Sequence, residues 1–228
     1  MKFDQKTKPK TPNGSLMVNL LAVLLLACAL LSATRAIAQE MEFRGASNGG
    51  NCVSCGWVAG EGEITADTPK RLLDFVSENY IPKNIVLNSP GGSVIGGIEL
   101  GRLIREIGAN TSVGDTKPME GQGLERWETI GPGRCASSCV FAFMGGDERD
   151  AYDGELGVHQ IYSINRDMAE ADVQYAIGAI VLHAVDMGVD AGFLAKALTT
   201  SSVEMRWLTE EEALASNLAT QEFFDHKL

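Results

Sequence analysis

The chain has 228 residues, with 30 acidic against 19 basic side chains and a formal net charge of −11 at pH 7. Such a surface repels phosphate backbones, which argues against a nucleic-acid partner. Hydrophobic residues make up 45% of the sequence, enough for one domain with a core of its own.

The first segment reads as an export signal. Lys2, Lys6, Lys8 and Lys10 form a basic start, no charge follows from Thr11 to Thr34, and Leu20 to Leu31 is almost wholly apolar. Ala36-Ile37-Ala38 fits the small-x-small pattern of a signal-peptidase site, which places the mature start at Gln39. The uncharged stretch is also long enough to span a bilayer, so an uncleaved anchor through residues 15–34 is the alternative. Leu25-Leu26-Ala27-Cys28 has the look of a lipoprotein box, but the apolar run continues past Cys28. All three readings carry residues 39–228 across the membrane, because the positive charges precede the span. The expected location is periplasmic or secreted after cleavage near Ala38, or a periplasmic domain anchored in the inner membrane. Cleavage leaves 14 basic and 29 acidic residues, a net of −15.

Cys52, Cys55, Cys135 and Cys139 remain after cleavage. An even count in an exported chain favours two disulfides, with three connectivities open. The Cys135–Cys139 pair can close across the turn between them, or that turn can be bridged to Cys52 or Cys55. No histidine accompanies either pair, so no metal is expected, and nothing in the sequence calls for a cofactor.

Residues 39–55, with Gly45, Gly49 and Gly50, read as a mobile lead-in holding the CxxC pair, ahead of one domain over residues 56–228. Gly56 to Ile64 has strand character. Asp67-Thr68-Pro69 opens a helix whose apolar face is Leu72, Leu73, Phe75 and Val76. Ile85-Val86-Leu87 is a short apolar strand, opened by two β-branched residues, running into Ser89-Pro90-Gly91-Gly92. The next helix carries Ile95, Ile98, Leu100, Leu103 and Ile104 and ends at Gly108. Thr111 to Val113 is a strand, Val140 to Met144 an apolar run, and Leu156 to His159 a strand. Ala169 to Met187 and Thr209 to Ala215 are helices. This alternation predicts an α/β fold with a largely parallel sheet flanked by helices. Residues 114–132 break the rhythm as a glycine- and proline-punctuated inserted loop, read either as a lid or as a disordered insertion.

Three segments carry chemistry. Gly91-Gly92-Ser93 offers consecutive N–H groups clear of large side chains, an oxyanion cradle. Ser137 sits at a tight turn before an apolar run, and the N–H of Ser138 would be the second cradle donor. His159 lies at the next strand end and suits a general base, whereas His183 lies inside a helix and His226 in the tail. A serine hydroxyl is a poor nucleophile at neutral pH and needs both a base and oxyanion stabilisation. These segments supply them in order.

On these residues the chain resembles the Clp protease proteolytic subunit family, within the crotonase-like superfamily. Asn88-Ser89-Pro90-Gly91-Gly92 matches its oxyanion turn, Gly133-Arg134-Cys135-Ala136-Ser137-Ser138 its nucleophile segment, and Val158-His159-Gln160 its histidine segment. Arg206-Trp207-Leu208-Thr209 with Glu212-Ala213 is a looser match. The exported Clp-like proteins of bacteria, with a Cys-Ala-Ser-x-Cys turn, are similar in more detail. The resemblance implies a Clp/crotonase-like fold, a peptide or protein substrate, catalytic Ser137 and His159, and a homo-oligomer. It also implies an aspartate shortly before Arg206, where this chain has Thr200, Ser201 and the nearby carboxylate Glu204. The site is therefore a Ser–His dyad, or an incomplete triad drawing on Ser201 or Glu204. The sequence also leaves open a non-catalytic exported scaffold. A crotonase-type acyl-CoA enzyme fits less well, for lack of a cationic cluster for the phosphates.

Overall fold

The computed structural model describes residues 39–52, 55–79, 83–119, 127–161, 169–190 and 192–220, all within one unit, Ala38–Leu228. The signal, anchor and cleavage-site expectations for residues 1–38, and His226, lie outside the described residues. Among the described residues no helix is long and apolar enough to cross a membrane.

In chain order the elements are β1 (Glu42–Ser47), β2 (Gly56–Glu61), α1 (Thr68–Glu78), β3 (Asn84–Asn88), α2 (Val94–Glu106), β4 (Asn110–Val113), β5 (Asp115–Pro118), β6 (Glu128–Gly131), β7 (Cys135–Ala136) and α3 (Cys139–Phe143). There follow β8 (Arg149–Asp150), β9 (Leu156–Val158), α4 (Glu170–Asp186), α5 (Gly192–Thr199), β10 (Arg206–Trp207) and α6 (Glu210–Ala215). The main sheet runs β1-β2-β3-β4-β8, with β2, β3, β4 and β8 parallel and β1 antiparallel at the edge. A smaller sheet runs β10-β9-β7, with β7 parallel to β9. A bridge between Ser89 and Cys135 joins the end of β3 to β7.

A sheet covered on both faces needs strands that are apolar throughout, and Ile85, Val86 and Leu87 are all buried. Ile85 and Leu87 face the large core, where they join Leu72 of α1, Ile98 of α2 and Phe143 of α3. Val86 faces the other way, into a small cluster with Ala46, Trp57 and Ala59. The fold is α/β, with a mostly parallel sheet flanked by helices.

Two segments differ from their sequence reading. Within the expected lead-in, residues 42–47 form β1, paired residue for residue with β2 from Glu42↔Glu61 to Ser47↔Gly56. Backbone pairing stabilises this edge strand, and ion pairs from Arg71 of α1 to Glu40 and Glu42 tie it down, so its apolar pattern is weak. Within the expected loop, β5 and β6 make an antiparallel hairpin that lies on the Trp57 face of the sheet. Trp57 Nε1 donates to Thr116 Oγ1 at 3.0 Å, Thr116 N donates to Glu61 Oε1 at 2.9 Å, and Arg44 pairs with Glu128. In α1, Leu73 is exposed rather than part of the apolar face. The sequence reading also missed α5, β8 and β10.

Two neighbouring residues on β8 give tests of this packing. Arg149 is 2% exposed, and its guanidinium donates to Leu218 O, Gly146 O and Asn217 O at 2.8, 2.9 and 2.7 Å. Gly146 O keeps a donor in Arg105, but Arg149→Met strips the Leu218 and Asn217 carbonyls of theirs and should lower stability by at least about 2 kcal/mol, read from thermal unfolding. Asp150 has a buried Oδ1 with no partner among the described residues. Burial first, then the charges of Glu155 and Glu210, push its carboxyl from 3.8 up to about 6. A carboxyl raised on folding holds its proton more tightly in the folded state, so its contribution falls as pH rises between those two values. Asp150→Asn should therefore raise the melting temperature by about 2–4 °C at about pH 7.5 and leave it nearly unchanged at about pH 4.

Candidate active site

The end of β3 and the end of β7 are stitched together by backbone. Ser89 N donates to Arg134 O at 2.7 Å, and Ala136 N donates to Ser89 O at 3.0 Å. The turn beyond Ser89 is forced against the serine segment. Gly91 (φ 97°) would place a Cβ 2.6 Å from Ala136 O and 2.7 Å from Ser137 Cβ. Gly92 (φ 138°) would place one 2.1 Å from Ile64 O. Only hydrogen fits at either position.

Ser137 has φ 56°, a left-handed conformation shared among the described non-glycine residues only with Asn217. Its N–H donates to Gly157 O at 2.8 Å and its carbonyl accepts from Val140 N at 3.1 Å. Left-handed backbone is costly for a residue with a Cβ, and such positions concentrate at functional sites. The cysteines on either side are joined to each other: Cys135–Cys139 and Cys52–Cys55 are the two disulfides, with Cα–Cα distances of 5.2 and 5.1 Å. This resolves the connectivity the sequence left open. With all four thiols used, no group of three or more His, Cys, Asp or Glu among the described residues is placed to hold a metal.

His159 arrives from the neighbouring strand. β7 and β9 run parallel with Ala136 opposite Gly157, so Ser137 and His159 both leave the same ends of adjacent strands, which lie about 4.8 Å apart. The chain after His159 is pinned, with Gln160 N donating to Thr200 O at 2.9 Å and Gln160 Nε2 to Leu198 O at 2.7 Å. Ser137 and His159 line one cleft of about 790 Å³ together with Gly91, Gly92, Phe141 and Ile161.

The oxyanion candidates separate. Among the described residues the N–H groups of Gly92 and Ser138 make no hydrogen bond, and Ser138 N lies 3.1 Å from where a Cβ on Gly91 would sit. Ser93 is a correction. Its N–H is used by Ile64 O at 2.7 Å, and its Oγ accepts from Gly96 N at 3.1 Å as the cap of α2. That leaves it no role as an oxyanion donor. The side chain of Ser138 is fully buried away from the cleft, which puts the exposed hydroxyl of the turn on Ser137.

Ser201 and Glu204 are both exposed and neither lines the cleft. Their segment reaches the histidine strand through the Thr200 carbonyl, which accepts from Gln160 N. The acids that do line the cleft are Glu63 and Asp172. The sequence reading missed them, since Glu63 reaches the site only through the pairing of Ile64 with Gly92. No described residue of the β5–β6 hairpin lines the cleft. His183 is a buried packing residue: its Nε2 lies 2.8 Å from Phe141 O, and burial lowers its pKa, keeping the ring neutral behind α3.

No protein-family profile matches the sequence, and no curated protein matches it. Among solved structures the chain is similar to ClpP1 from Listeria monocytogenes, at 19% identity and TM-score 0.45, over 69% of this chain and 84% of that one. It is similar also to a mutant of the 1510-N membrane-bound stomatin-specific protease, at 18% identity and TM-score 0.47, over 71% and 75% of the two chains. A second mutant of that protease, solved in complex with a substrate peptide, gives 18%, 0.47, and 71% and 72%.

Proposed function

We propose that the chain is an exported serine hydrolase of peptidase type, acting on a peptide or protein carbonyl through a Ser137–His159 dyad. One observation carries this reading. A left-handed serine and a histidine from adjacent strand ends share a cleft with two N–H groups that no described residue uses. Ser137 Oγ attacks the carbonyl carbon while His159 takes its proton. The oxygen that becomes negative is received by the N–H groups of Gly92 and Ser138. His159 returns the proton to the leaving amine or alkoxide, and water, deprotonated in turn by the histidine, releases the acyl group from Ser137. Ser201 and Glu204 lie outside the cleft lining, and a Ser–His dyad is the form we propose.

Export is part of the same proposal. The N-terminal signal pattern sends the domain into a compartment where both disulfides are stable. The competing scaffold reading is favoured by the exposed position of Glu204. The two are separated by a fluorophosphonate probe, which reacts only with an activated hydroxyl. Stoichiometric labelling of the folded protein is the hydrolase result, and its absence is the scaffold result.

A further inference from the structure

We infer that Cys135 and Cys139 are positioning residues for Ser137: their disulfide holds the serine in its left-handed turn, and without it the nucleophile and the Ser138 N–H drift out of register. This role presupposes the hydrolase reading of the cleft.

Three observations support it. Cys135 is anchored, being fully buried, paired with Leu156 in β7–β9 and bridged to Ser89. Cys139 is also fully buried and is the first residue of α3, a helix of only 5 residues. So short a helix has too few internal bonds to fix the chain that enters it. Ser137 lies midway between them, and its backbone is otherwise held by two hydrogen bonds, to Gly157 and from Val140. A residue with a Cβ leaves the left-handed region unless its surroundings over-determine it. The bridge from strand to helix supplies that constraint, and it also sets where the Ser138 N–H points.

The second disulfide provides the control. Cys52–Cys55 spans a sequence separation of 3, against 4 for Cys135–Cys139, so the two restrict the unfolded chain to similar extents. None of its residues lines the cleft. The experiment compares Cys135→Ala/Cys139→Ala with Cys52→Ala/Cys55→Ala in the mature protein. Melting temperature, fluorophosphonate labelling rate, and kcat and KM for an activated ester are measured for each. The expected result is a labelling rate and kcat at least about tenfold lower in the first variant, with KM within about twofold and labelling near normal in the second. Labelling of a folded Cys135→Ala/Cys139→Ala protein within about twofold of the natural rate overturns the inference.

Amide exchange at Ser137 gives a readout independent of activity, and Cys139→Ala alone gives a milder variant should the double change not fold. Faster exchange of the Ser137 N–H in either variant supports the positioning role, and unchanged exchange overturns it. If the natural protein does not label, the hydrolase reading fails by itself, and the exchange comparison still decides what the bridge does.

Discussion

Ser137→Ala and His159→Ala should each lower ester hydrolysis by about a thousandfold or more, and the double variant should be little worse than either single one. The two groups act as a unit, since an unassisted hydroxyl and an unassisted imidazole are both poor catalysts of acyl transfer. Neither change opens a large void, because both side chains are only partly buried along the cleft wall, so folding should be retained. Ser138→Ala separates the neighbouring hydroxyls. Its Oγ has no partner among the described residues and faces away from the cleft, so activity should persist. Loss on Ser138→Ala with activity kept in Ser137→Ala would move the nucleophile by one position. Glu204→Gln should have little effect, as its carboxylate lies outside the cleft.

The second large effect is expected at the glycine turn. Gly92→Ala places a methyl group 2.1 Å from Ile64 O at a φ of 138°, so the backbone must move. Forcing a Cβ into that conformation costs about 1–3 kcal/mol before the clash is counted. Protein that still folds should show a labelling rate about 100- to 1,000-fold lower, because the Gly92 N–H no longer meets the oxyanion. Gly91→Ala should behave similarly, with its methyl 2.6 Å from Ala136 O. Gly45→Ala is the control: its Cβ meets nothing within 4 Å and should leave stability and labelling unchanged. Equal behaviour of Gly92→Ala and Gly45→Ala would remove the turn from the site.

Much of this arrangement is written locally in the chain. The apolar run Ile85-Val86-Leu87 leads into a turn with two glycines because that turn must approach other backbone closely: Gly91 meets Ala136 and Ser137, and Gly92 meets Ile64. Serine at the head of an apolar run and histidine at a strand end are likewise local signals. What the sequence could not show depends on distant partners. Ser93 looks like a third oxyanion donor until Ile64, from a segment on the far side of α1, takes its N–H. The segment 114–132 reads as loop because glycine and proline dominate its composition, while its pairing as a hairpin is a matter of register and of Trp57 beneath it. Residues 42–47 conceal a strand because an edge strand needs backbone pairing more than apolar side chains. Disulfide connectivity is a three-way choice in sequence and a single answer in space.

The most direct measurement is a crystal structure of the protein after reaction with a fluorophosphonate. The expected result is phosphorus bonded to Ser137 Oγ, with the phosphoryl oxygen about 2.7–3.1 Å from both Gly92 N and Ser138 N, and His159 beside the serine oxygen. An unmodified Ser137 in a folded protein, or a phosphoryl oxygen turned away from those two N–H groups, would contradict it.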